Sequence, residues 1–64
     1  MTINEANALK TKVWTFAAKS VVFGSRSKIC ELQGIDTDKD PICIDLRKDM
    51  DQLEQEIYST IDSL

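Results

Sequence analysis

The polar and apolar positions of this chain fall into two runs with helical period. In the second run Cys43, Leu46, Met50, Leu53, Ile57, Thr60 and Leu64 alternate spacings of three and four, with only Thr60 polar. Such a seven-residue repeat puts one apolar seam along one side of a helix. Asp45, Lys48, Asp49, Asp51, Gln52, Gln55 and Glu56 fill the remaining faces. Asp40–Pro41 marks the start: an aspartate can accept from free N–H groups of the first turn, and a proline at the first position forfeits no bond. The pattern predicts a helix over about 41–63. In the first run Ala6, Leu9, Val13, Phe16, Ser20, Phe23, Ser27 and Cys30 repeat the same spacing. Thr2 and Glu5 have the spacing of a capping box, and Gly34 suits a left-handed helix end with Ile35 folding back. These signals predict a first helix over about 3–33. Gly24 is its weak point, because glycine costs about 1 kcal/mol relative to alanine inside a helix. A kink or break there is the alternative, with Ser25 or Ser27 capping a second piece. The seam runs through Gly24 without a change of phase, which favours one helix.

Asp36-Thr37-Asp38-Lys39 is a polar link too short to do more than reverse the chain. The fold class is therefore all-α: an antiparallel helical hairpin occupying the single domain 1–64. Charge supports the pairing. Residues 1–39 carry six cations against four carboxylates, a net +2, and residues 40–64 carry two against seven, a net −5. Lys12, Lys19 and Arg26 lie on the flank just before the core positions of the first helix, and Asp49 and Glu56 on the same flank of the second. A hairpin in which facing position numbers sum to about 75 would set Arg26 near Asp49 and Lys19 near Glu56.

The first helix has more apolar surface than a two-helix hairpin can cover. Trp14, Ala17, Val21 and Gly24 form a second stripe, and Ile44, Tyr58 and Ile61 lie outside the seam of the second helix. The expectation is a homodimer, two hairpins packing into a four-helix bundle, with Trp14, Ala17, Val21, Ile44, Tyr58 and Ile61 as contact residues for a second copy or another protein. A chain of 64 residues buries little surface against its entropy cost, which adds to the case for self-association.

Chemistry-bearing constellations are few. Asp36, Asp38 and Asp40 alternate like the first ligands of a calcium loop, but the positions that would need glycine and a closing carboxylate hold Pro41 and Arg47. Cys30 and Cys43 flank the turn. With no histidine and no third cysteine in the chain they fall short of a zinc set, and small buried core residues are the simpler reading. No catalytic residue, cofactor or metal is expected: a serine or cysteine nucleophile would lack its usual base, and no glycine-rich phosphate loop is present. Lys12, Lys19 and Arg26 form the best nucleic-acid face, although the acidic helix competes for the same three side chains. No uncharged stretch is long enough to span a membrane, and the first residues do not read as a secretory signal. The expected location is the cytoplasm, with both thiols reduced.

Two resemblances add context. Ile42, Cys43, Leu46, Asp51 and Leu53, after an acidic turn, resemble the second helix of the Rop family of plasmid copy-control proteins. That family consists of dimers of helical hairpins that recognise paired RNA loops, so the resemblance implies the bundle architecture. The RNA-contacting face of that family is on its first helix and has no counterpart in residues 3–33. The segments Met1-Thr2-Ile3-Asn4-Glu5-Ala6 and Trp14-Thr15-Phe16-Ala17-Ala18-Lys19-Ser20 resemble the short early-region proteins of lambdoid phages, encoded between exonuclease and excisionase genes. This resemblance implies a small accessory factor of the host bacterial cytoplasm, acting on a host or phage protein to influence host physiology or the choice between lysis and lysogeny.

Overall fold

Local signals at three points determine where the chain is helical. The computed structural model describes residues 1–63, and there helix α1 spans Ile3–Gln33, a single 3-10 turn spans Thr37–Lys39, and helix α2 spans Pro41–Asp62. Thr2 and Glu5 make the capping box: the Thr2 hydroxyl accepts from the Glu5 N–H at 3.1 Å, and the Glu5 carboxylate accepts from the Thr2 N–H at 3.4 Å. At the other end Gly34 takes φ 72°, its N–H donating to the Glu31 carbonyl at 3.2 Å while the Ile35 N–H donates to the Cys30 carbonyl at 2.8 Å. That pair of bonds is the glycine-terminated helix end expected from the sequence. The Asp40 carboxylate accepts from the Cys43 N–H at 3.1 Å, with Pro41 beginning the first turn of α2. α1 is unbroken through Gly24, so one long helix is correct.

The two helices pack antiparallel along the seams. Leu9, Phe16, Ser20, Phe23 and Ser27 of α1 and Leu46, Met50, Leu53, Ile57 and Thr60 of α2 are half-buried, and Cys30 and Cys43 are fully buried at the turn. Leu64, the last expected seam position, lies outside the described residues. Two seam positions are not covered: Ala6 is exposed and Val13 stays 43% exposed. α1 has 31 residues and α2 has 22. At about 1.5 Å per residue, that difference lets α1 run on past α2 by about 13 Å. Ala6 therefore has no facing helix turn.

The result is a rod, 47 × 15 × 12 Å, with a radius of gyration of 14.5 Å. A compact domain of this length would have a radius of about 11 Å. The chain exposes 4777 Å², against roughly 4,100 Å² for a globular protein of its mass. Among the described residues no side chain larger than cysteine is fully buried.

Candidate functional site: an apolar edge and a buried turn cluster

The two long edges of the hairpin differ in chemistry. One carries the three ion pairs of Lys12, Lys19 and Arg26. Lys12 Nζ lies 3.9 Å from Glu56, Lys19 Nζ 3.1 Å from Asp49, and Arg26 donates to both oxygens of Asp40, each at 2.9 Å. The flanks pair as expected, but Arg26 meets Asp40 and not Asp49, and Lys19 meets Asp49 and not Glu56. Both partners are displaced toward the turn. Asp40 explains the displacement. Its carboxylate is anchored over the start of α2 by the Cys43 N–H and is only 5% exposed, so it competes most strongly for the nearest guanidinium. With Arg26 committed there, Asp49 is left to Lys19 and Glu56 to Lys12. Lys19 and Lys12 take partners on the flank itself, Asp49 and Glu56, which are seven residues apart; one repeat nearer the turn that flank holds Ile42, so Arg26 finds its carboxylate off the flank, at Asp40. All three cations proposed for a nucleic-acid face are thus engaged by carboxylates of the same chain.

The opposite edge is where the predicted contact residues stand. Trp14, Ala17 and Val21 follow one place after the core positions Val13, Phe16 and Ser20, and Ile44, Tyr58 and Ile61 bear the same relation to Cys43, Ile57 and Thr60. Trp14 is 65% exposed, Val21 70%, Tyr58 58% and Ile61 46%. Between the helices on this side lies an open groove of about 270 Å³ lined by Val13, Phe16, Glu54, Ile57 and Tyr58. Phe16 and Ile57 share that groove, so Trp14 and Tyr58 stand at the same height on neighbouring helices. The Lys10 ammonium lies over the Trp14 ring, 4.7 Å from its centre. Nearer the turn, Arg47 bonds Asp38 at 3.0 Å and its guanidinium sits 5.6 Å from the Phe23 ring. Arg47, Asp51 and Glu54 therefore interrupt this edge on α2. Fourteen residues, about 21 Å of helix, separate Ile44 from Tyr58, so Ile44 is not part of the open-end patch.

At the turn, Cys30, Asp40 and Cys43 come together, with the two sulfurs and a carboxylate oxygen all within 4.8 Å of one another. The hydrogen bonds from Arg26 hold the Asp40 carboxyl well below the usual carboxylate range, and the same contact raises Arg26. Burial first, and the facing Asp40 carboxylate second, push the Cys43 thiol up to about 11. This cluster is a consequence of tertiary pairing that the spacing of the two cysteines only hinted at. A sequence signal for its fourth member does exist. Arg26 precedes the last core residue of α1 by four positions, one helical turn, and Asp40 precedes the first core residue of α2 by three. No family model, curated protein or solved structure matches this chain.

Proposed function

We propose that this chain is a non-enzymatic interaction protein that works as a homodimer, two hairpins joined into a four-helix bundle through the edge bearing Trp14, Ala17, Val21, Tyr58 and Ile61. The observation that carries the reading is the imbalance of burial: large aromatic and branched side chains stand in water, with both exposed large aromatics, Trp14 and Tyr58, on this edge, while among the described residues only cysteines are fully buried. Apolar surface of that kind on a folded chain marks an interface. A two-fold contact uses the same patch twice, which suits a patch confined to the open half of a rod. The likeness to phage early-region proteins supports a small regulator that, once assembled, engages a host or phage protein. Nucleic-acid binding through Lys12, Lys19 and Arg26 is the weaker reading, because it would have to break three ion pairs within the chain. Light scattering across a concentration series tests the proposal. The expected mass is twice 7.2 kDa, falling toward one chain in Trp14→Ala/Tyr58→Ala with helicity retained. A wild-type monomer at every concentration would overturn the dimer and leave the patch to a different protein.

A further inference from the structure

The geometry points to a site for one thiophilic divalent cation of the zinc class at the turn, held by Cys30 Sγ, Cys43 Sγ and a carboxylate oxygen of Asp40, with Arg26 as the charge-balancing partner of that carboxylate. Three donors of the right chemistry converge there. All three residues are buried, and their ligand atoms lie within 4.8 Å of one another. A tetrahedral zinc with Zn–S bonds of about 2.3 Å and a Zn–O bond of about 2.0 Å holds two sulfurs about 3.8 Å apart and sulfur and oxygen about 3.5 Å apart, so closure on the ion needs a contraction of about 1.3 Å at most. That is within reach of cysteine rotamer adjustment.

The carboxylate has capacity for the ion. An ionised carboxylate offers about four acceptor positions. Asp40 Oδ2 accepts from Arg26 Nε and from the Cys43 N–H, Oδ1 accepts from Arg26 Nη2, and the Cys43 thiol also donates to the carboxylate, a bond that ends when that thiol loses its proton to bind metal. The acceptor position that the thiol vacates is then open to the metal. Ligating carboxylates are ordinarily hydrogen-bonded from behind, and the Arg26 fork already supplies that arrangement.

Charge balance favours the same assignment. Without metal the cluster holds two neutral thiols, one carboxylate and one guanidinium, and is neutral. Binding replaces two S–H bonds by two S–metal bonds, and two protons leave to solvent. The new sum, a dication with two thiolates, one carboxylate and one guanidinium, is again zero. A buried site that exchanges its charges one for one avoids the desolvation cost of an uncompensated ion. The fourth coordination position is left for water or another exogenous donor. Every protein ligand comes from one hairpin, so the site does not depend on dimerisation. Its role is a staple across the turn, which small scaffolds with little core commonly use.

The test is titration of cobalt(II) into the full chain under anaerobic conditions with a non-thiol reductant. The expected result is one cobalt per chain with thiolate charge-transfer bands and the intense visible bands of a four-coordinate ion, release of two protons per metal, and displacement by zinc. Cys30→Ser and Cys43→Ser should each at least halve the thiolate bands, and Asp40→Asn, which still caps α2, should weaken binding by more than the roughly 10-fold that loss of an outer-shell partner costs. Absence of thiolate bands at millimolar cobalt in the folded wild-type chain would overturn the proposal, whether or not the serine variants fold. So would bands that persist in a Cys30→Ser/Cys43→Ser double variant.

Discussion

The two glycines should respond to the same substitution with opposite signs. Gly34 adopts φ 72°, whereas Gly24 lies inside α1, and a Cβ built on either meets no heavy atom within 4 Å. Any effect of alanine is therefore conformational and not a clash. At Gly34 an L-residue must enter the left-handed region, which costs about 1–2 kcal/mol. At about 4–8 °C per kcal/mol for a domain of this size, the midpoint should fall by about 4–16 °C. At Gly24 the methyl removes backbone freedom from the unfolded chain and fits the helix, a gain of about 1 kcal/mol and about 4–8 °C. A chain this short can be assembled chemically, which permits a sharper control. D-alanine at position 34 carries the same methyl but prefers positive φ, and should stabilise by about 0.4–1 kcal/mol. Thermal and urea unfolding by circular dichroism, at matched chain concentration because self-association makes the midpoint concentration-dependent, reads all three. If L- and D-alanine at position 34 destabilised equally, the left-handed cap or the open space beside it would be wrong. A loss of stability in Gly24→Ala would place an unseen side chain or backbone against that face.

The ion-pair assignment predicts a double-mutant coupling of about 0.2–1 kcal/mol between Lys19 and Asp49, weakening with salt, and none between Lys19 and Glu56; coupling found only in the second pair would reverse the assignment. Stability of the metal-free chain should be level through neutral pH and fall as pH rises from about 9, the ordinary thiol value, to about 11, the folded value of Cys43. The sign follows because the unfolded thiol ionises first, drawing the equilibrium away from the folded state. Cys43→Ala should remove that alkaline loss, seen as a flat midpoint over the same range. Thr2→Ala should cost about 1 kcal/mol through loss of the capping box at the start of α1, and unchanged unfolding would mean that the overhanging first turns contribute nothing to stability.

Much of the fold was legible in the chain because the signals involved are local. Thr2 with Glu5, Gly34 with Ile35, and Asp40 with Pro41 each act within one helical turn, so their meaning does not depend on what lies across the hairpin. The alternation of three and four likewise places Phe16, Phe23, Leu46 and Leu53 on facing seams whatever the details of pairing. The partners across the interface were another matter. A heptad pattern is nearly unchanged by a shift of seven residues, so Lys19 could answer Glu56 or Asp49 equally well by flank identity alone, while Asp40, off that flank, was not among the carboxylates the pattern offered Arg26. Asp40 decided the choice, because the cap is local but its approach to Arg26 is made by the folded turn. For the same reason the end of α2 at Asp62, set against the greater length of α1, left Ala6 uncovered, and the pitch of the helix carried Ile44 away from Tyr58. The sequence by itself determined two helices, their limits and their apolar seams, since these depend on neighbours a few residues apart. Only the tertiary structure determined which charges meet and that Cys30, Asp40 and Cys43 share one buried site, because those distances depend on how two rigid rods are set against each other.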